Sequence, residues 1–274
     1  MTKILRIDEF VSSHINEMVV KPYDGNLRPK TTDELKHIIE DRINQMGENC
    51  DLNDIDVSAL TDMSYLFYGS KFNGDISQWD VSNVINMNDM FRFSKFNGDI
   101  SKWNVSKVEY MESMFDKSDF NGDISKWDVS NVTDMNNMFY HSKFNGDISK
   151  WNVSKVEYMF YMFENSDFNG DISKWDVSNV KDMEGMFTDS NFNGDISKWN
   201  VSKVKNMYGM FWGSKFNGDI SKWNVSKVRD MYGMFYGSKF NGDISKWNVS
   251  KVTKKKDMFK NSPLESNPPA WYRQ

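Results

Sequence analysis

The sequence predicts a tandem-repeat solenoid of mixed α/β character. Three observations carry that prediction. The segment FNGDIS occurs eight times, opening at Phe72, Phe96, Phe120, Phe144, Phe168, Phe192, Phe216 and Phe240. Every interval is 24 residues, with no insertion or deletion, and a fixed period in this range marks a stacked-coil architecture. The apolar residues of each unit fall at the same places, so each coil has an apolar edge that only a neighbouring coil can cover.

The unit FNGDISKWDVSNVTDMNNMFYHSK (Phe120 to Lys143) sets the frame, and register positions below count from its opening Phe. Asn121-Gly122 supplies a tight turn. Trp127 and Val129 flank a polar residue, which is strand alternation. Met135, Met138 and Phe139 follow i, i+3, i+4 spacing, which predicts a short helical edge. Each coil is therefore expected to run turn, strand, loop and one or two helical turns. Strands would stack in parallel about 4.8 Å apart. Identical side chains would then lie over one another, Trp on Trp and Met on Met, with Met filling gaps between imperfectly matched coils.

Both ends read as caps. Thr31 and Glu34 fit a capping box. The apolar members of Leu35, Ile38, Ile39, Arg42, Ile43 and Met46 keep helical spacing, and Gly47 fits a helix stop. Residues 31–47 are thus a helical N-terminal cap, with the helix over 32–46. Leu52, Ile55, Val57, Leu60, Met63, Leu66 and Phe67 form a degenerate opening coil. The solenoid spans residues 48–264, about nine coils. At its far end Lys255 replaces the expected Met, Pro263-Leu264 replaces Lys-Phe, and Pro268-Pro269 breaks regular structure. Residues 265–274 form a C-terminal cap, with Trp271 and Tyr272 folded onto the open core. Before the cap, residues 1–20 read as an amphipathic helix (Ile4, Ile7, Val11, Ile15, Met18), and Lys21 to Lys30 as a linker, so that 1–30 is an N-terminal segment.

The pattern I-S-x-W-D/N-V-S-x-V-x-x-M-x-x-M-F is similar to the BspA-like leucine-rich repeats of bacterial surface proteins and some viral proteins. Ile124, Trp127 and Val129 match the L-x-x-L-x-L strand of those repeats. Val132, Met135, Met138 and Phe139 match their V-x-x-I-x-x-A-F segment. The resemblance covers residues 48 to about 264. It implies a right-handed, leucine-rich-repeat-like coil with parallel strands on one face, and a role in adhesion or protein binding.

Composition narrows the function. A net charge of −5 argues against a nucleic-acid binder. The single Cys50 excludes an intramolecular disulfide framework. The N-terminus carries charges from Arg6 onward and no apolar signal core, and no run is long enough to span a membrane. A soluble protein, cytoplasmic or virion-associated, is expected ahead of Sec export, with cell-surface display the alternative. His14, His37 and His141 do not recur with the repeat, and no base recurs with the repeated Ser, so no nucleophile is activated. No enzyme, cofactor or metal site is expected. The NGD aspartates (Asp75, Asp99, Asp123 onward) lack the oxygen count and glycine density of calcium repeats and read as turn stabilisers.

Two surfaces remain as candidates for a protein partner or a surface glycan. Aromatics collect at variable positions: Tyr208 with Trp212, Tyr232 with Tyr236, and Phe160 with Tyr161. Members four apart share a helix face, and the flanking Gly209, Gly213, Gly233 and Gly237 would leave the rings uncovered. A lysine ladder runs along the strand face and turns basic toward Lys198, Lys222 and Lys246. Asp at register 9 travels with Asn at register 12, and Asn at 9 with Lys at 12, a sign of paired coils. The expected function is a non-enzymatic interaction or adhesion module. The alternative is a structural, self-assembling spacer or virus-particle component that forms homo-oligomers.

Overall fold

The computed structural model describes residues 27–273. The helix expected over 1–20 and linker residues 21–26 lie outside the described residues. The rest is a solenoid of nine stacked 24-residue coils, capped by one helix, α1 (Thr32–Met46).

The inward residues form continuous columns. At register 1, 5, 8, 10, 13, 16, 19 and 20 the side chains are almost wholly buried through the internal coils; Met135 is 0 % exposed and Trp127 3 %. The register-20 phenylalanines stack at 5.4–5.9 Å between adjacent coils. Those at register 1 stack at 6.1–6.4 Å. Each such pair, like against like, excludes water at about 25 cal/mol per Å² of apolar surface and adds offset-stacking attraction.

Each buried Trp also has a polar duty. Its indole N–H donates to the backbone carbonyl 27 residues earlier, one coil back, at 2.9–3.2 Å from Trp79→Leu52 through Trp271→Ile244. Only a long ring with a donor at its far end both fills this column and satisfies a buried carbonyl.

The strand and helix expected within each coil are replaced by something else. Trp127 and Val129 lie in a chain of turns: Trp127 N–H donates to Ile124 C=O and Val132 N–H to Val129 C=O. The parallel pairing sits later, as a single bridge per coil at register 15, continuous from Asp62 to Lys254. The Met-x-x-Met-Phe segment is not helical. Residues at register 18 and 22 take the left-handed conformation in coil after coil, as at Asn137 (φ 55°) and His141 (φ 50°). N–H groups at register 19, 21 and 23 close local turns (Met138→Met135, Tyr140→Asn137, Ser142→Phe139), while those at even register positions 16, 18, 20 and 22 reach the next coil (Met135→Tyr158, Asn137→Phe160, Phe139→Met162, His141→Glu164). A helix would use all these groups internally and leave the coil interface without backbone bonds. The i, i+3, i+4 spacing survives because the turn pattern also repeats every four residues.

The rings nearest the ladder are the more closely stacked: the register-20 pairs stand 5.4–5.9 Å apart and the register-1 pairs 6.1–6.4 Å.

Short side chains fix the outer turns. Each NGD aspartate accepts from the Ser N–H two residues on, at 2.8–2.9 Å. Hydrogen bonds from the same serines, the hydroxyl's first and then the N–H's, hold the carboxyls below their ordinary range at Asp99 and Asp123. The register-2 asparagines build a second ladder, each Oδ1 accepting the N–H of the next coil's Asn at 2.7–3.0 Å.

The caps follow the sequence with three changes. In α1, Thr31 accepts from Glu34 N–H, while the Glu34 carboxylate takes Lys30 N–H. Leu35 and Ile39 are buried, but Met46 points to solvent at 59 % exposed. Leu27, expected in a linker, bridges Ile55 and packs against the core. Trp271 keeps the 24-residue register at the other end, inside a short 3-10 helix (Ala270–Tyr272), and Lys255 Nζ bonds its carbonyl at 3.0 Å.

Replacing Trp151 by Phe removes one of the two donors to the Ile124 carbonyl, leaving only Trp127 N–H, and opens a gap in the column. The expected loss is about 2–4 kcal/mol, read as a fall in chemical-denaturation midpoint. An unchanged midpoint would contradict the role given to the indole N–H.

Candidate functional site

The sequence varies mainly along one strip. Register 14, 15, 17, 18, 21 and 22 change from coil to coil while the core and outer turns repeat. These positions surround the bridge ladder, beside the more closely stacked rings, and form the inner strip. Apart from Met46, every large apolar side chain that is markedly exposed among the described residues lies here: Tyr65, Tyr68, Ile85, Phe93, Tyr110 and Tyr158, at 37–48 %. Sequence reading missed all six, because their positions alternate in type with polar residues. Only alignment of the coils in register brings them to one face.

Tyr65 (φ 58°), Phe93 (φ 57°) and Tyr161 (φ 54°) occupy left-handed positions that other coils give mostly to Gly, Asn or Asp, with Ser113, Lys117 and His141 the remaining departures. The left-handed region costs an ordinary L residue about 1–2 kcal/mol. Strain held by an exposed aromatic points to use of the ring rather than to folding.

The aromatic pairs expected from sequence also lie on this strip, as stacks between coils. Tyr208 lies on Tyr232 at 5.3 Å and Trp212 on Tyr236 at 4.1 Å. Phe160 meets Tyr161 edge to face at 5.9 Å. All six are half-buried. The glycines beside them do not leave rings bare: a Cβ on Gly233 would sit 2.6 Å from the Trp212 ring, and one on Gly185 2.2 Å from Tyr161. Gly233 and Gly185 are seats for the rings, whereas Gly213 makes room for Asp189 and Gly237 meets no ring; the positive φ of all of them is the one the coil requires.

Lys198, Lys222 and Lys246 are exposed. No hydrogen bond, ion pair or ring contact joins them to the aromatic pairs among the described residues. Their charge instead helps lower the carboxyls of Asp195, Asp219 and Asp243, after the dominant hydrogen bonds from Ser197, Ser221 and Ser245. The paired-coil signal has a structural basis. Asn131 donates to the Ser106 carbonyl and accepts from Lys155 at 2.6 Å, and Asn83–Lys107 repeats the arrangement.

Midway along the strip lies a polar groove of about 510 Å³, lined among others by Arg92, Glu112, Asp116, Tyr140, Tyr161 and Glu164. Arg92 Nη1 donates to Asp89 at 2.9 Å, and its Nε stands 2.7 Å from Asp116 Oδ2 as an ion pair without hydrogen-bond alignment. Asp116 is 2 % exposed, and its Oδ1 has no partner. Burial pushes Asp116 up to about 6, against the pull of Arg92. Burial and then Asp189 push Glu164 up to about 7, and burial raises Glu112. Tyr161 donates its hydroxyl to Glu184.

His141 lies near the groove, with Nδ1 2.7 Å from the Asn165 amide. Among the described residues no group of three His, Cys, Asp or Glu is arranged to hold a metal ion, and no helix is long and apolar enough to cross a membrane.

The raised Glu164 gives a signed pH dependence. Its ordinary value is 4.5 and its folded value about 7, so between these the unfolded chain sheds a proton that the fold keeps. Stability therefore falls as pH rises through that window. Glu164→Gln should be more stable than the parent by about 1 kcal/mol near pH 8, after allowing for solvent screening. The gap should close by pH 4.5. Denaturation midpoints at the two pH values check this, and a variant less stable near pH 8 would contradict it.

No curated protein and no solved structure matches the chain. The family described as "Mycoplasma protein of unknown function, DUF285" matches over residues 35–141, 116–190 and 165–271, which together take in the cap and the whole repeat array. The chain belongs to that family.

Proposed function

We propose that the chain is a non-enzymatic interaction module that binds a partner protein along the inner strip. The observation that carries this reading is the gathering of exposed aromatics there, four of them on the half nearest α1 (Tyr65, Tyr68, Phe93 and Tyr110), with strained backbone under Tyr65 and Phe93. Large amphipathic rings at the centre of a surface are the usual anchors of protein binding. A strip whose coils each contribute different side chains to a constant frame suits recognition of an extended partner. The likeness of the repeat to BspA-like leucine-rich repeats, with their association with adhesion and protein binding, supports the same reading.

A second reading, a self-assembling spacer, draws on the far end of the ladder. The N–H groups of Lys255, Asp257 and Phe259 have no acceptor among the described residues, and an open parallel edge can add another strand.

Two variants separate interface from packing. Tyr65→Gly with Phe93→Gly removes two exposed rings and relieves the left-handed strain, so stability should change by less than about 1 kcal/mol. Tyr208, Trp212, Tyr232 and Tyr236 changed together to Ala removes the stacked pairs, each worth about 0.5–1.5 kcal/mol. Proteins retained by the parent in affinity capture should bind the first variant at least about tenfold more weakly, since central aromatic anchors carry most of such an interface. Equal retention by both variants would overturn the interaction reading. Light scattering that finds oligomers growing with concentration would favour the spacer.

A further inference from the structure

We propose that the groove bounded by Arg92, Glu112, Asp116, Tyr140, Tyr161 and Glu164 receives a basic side chain, ammonium or guanidinium, from the partner protein. The inference rests on reading the strip as an interaction surface and specifies what one part of it recognises.

The groove is short of positive charge. Asp89, Glu112, Asp116 and Glu164 face only Arg92 and Lys117. Arg92 is already divided between Asp89 and Asp116. Lys117 is turned to the rings of Phe93 and Tyr140, at 5.3 and 5.2 Å. The Glu112 and Glu164 carboxylates take no hydrogen bond from any described residue, although both are half-buried. Below them Asp116, 98 % removed from solvent, keeps one oxygen without a donor. A buried carboxylate lacking a donor is costly. That cost is borne at a concave site on the variable strip and nowhere else in the repeat: Asp116 and Arg92 are the residues whose buried polar atoms lack partners among those described.

The walls fit the same ligand. Tyr140 and Tyr161 give the groove an aromatic lining of the kind that attracts a cation, as Lys117 over Tyr140 already shows, and Ser113 and Asn137 add neutral hydrogen-bonding groups. An anion entering here would meet Glu112 and Glu164. A neutral polyol would leave the charge imbalance in place. A guanidinium or ammonium meets the wall carboxylates directly and lowers the field around Asp116. The volume, about 510 Å³, takes an arginine or lysine side chain with room to spare. The wider inner strip is acidic here, with Asp134, Asp182, Glu184 and Asp189 in neighbouring coils, so approach of a basic segment is favoured over distance as well.

The test uses the full chain, isotope-labelled, titrated with N-acetyl-arginine methylamide, N-acetyl-lysine methylamide, the uncharged N-acetyl-citrulline methylamide, and putrescine. The expected result is saturable amide shifts confined to the surroundings of Ser113, Lys117, Asn137 and Tyr161 with the two basic amino-acid probes and none with citrulline. Glu112→Gln with Glu164→Gln should weaken that binding at least about tenfold while melting no lower than the parent. Equal shifts from citrulline, unmoved amides up to about 50 mM of the basic probes, or undiminished binding by the folded double variant would overturn the proposal. Tighter binding of putrescine than of either amino-acid probe would overturn the assigned source. The probes need no partner, so a failed capture experiment at Tyr65 and Phe93 and a failed titration here are told apart.

Discussion

Register between coils is the constraint on which the rest of the structure depends. Each inward side chain is covered by its own equivalent from the coils on either side, and half the backbone donors of the ladder edge are satisfied only across the coil interface. Neither arrangement tolerates a change of spacing. A shift of one residue would set Met against a polar neighbour and turn the N–H groups at even register positions away from their acceptors. This explains why the array keeps 24 residues through every coil. It also explains why the buried positions show almost no choice of residue. A column of like rings packs best when all members share one rotamer and tilt, as the small interplanar angles between register-20 phenylalanines show.

The same constraint separates structure from function on the surface. The outer turns are held by side chains that cap their own coil or reach the next, so the Asp and Asn ladders there are committed to folding. The inner strip is different. Its backbone is fixed by the ladder and by one side-chain oxygen per coil, from Asp or Asn at register 15 or from the previous coil's Asn88 or Asn136, which accepts the register-17 N–H. Residue type can otherwise vary at register 14, 15, 17, 18, 21 and 22, provided that 18 and 22 accept a left-handed backbone. Aromatic residues occur along the whole of that strip, acidic ones gather in its middle, and lysines stand at Lys254, Lys256 and Lys260 where the array closes. A surface so graded along its length reads more readily as a recognition face than as a uniform coat.

Much of the architecture was legible in the sequence because a strict period leaves little freedom. The repeat frame, helix α1, the degenerate first coil and the inward residues all follow from spacing. The turn role of Asp123 and its equivalents follows from the Asn-Gly-Asp-x-Ser context. The secondary structure within a coil was not legible. Trp127-Asp128-Val129 alternates as a strand does, and Met135, Met138 and Phe139 are spaced as in a helix, yet a chain of turns satisfies both patterns. The recurrence of Gly, Asn, Asp and Ser at register 18 and 22 was the available signal for left-handed residues. The rings of Tyr208, Trp212, Tyr232 and Tyr236 were found by sequence but their stacking across coils was not, since partners 24 residues apart become neighbours only once the register is known. The Arg92–Asp116 groove escaped for the same reason: its residues come from different coils and share no motif.

The most direct test of registered stacking is a pair of internal deletions. Removal of residues 144–167 takes out one whole coil and joins Lys143 to Phe168 in frame. The shortened chain should fold with a single cooperative melt only a few degrees below the parent, as expected when each coil contacts its neighbours alone. Removal of residues 144–164 takes out less of the chain but breaks the register, and should abolish the cooperative melt. Equal stability of the two deletions would contradict the account.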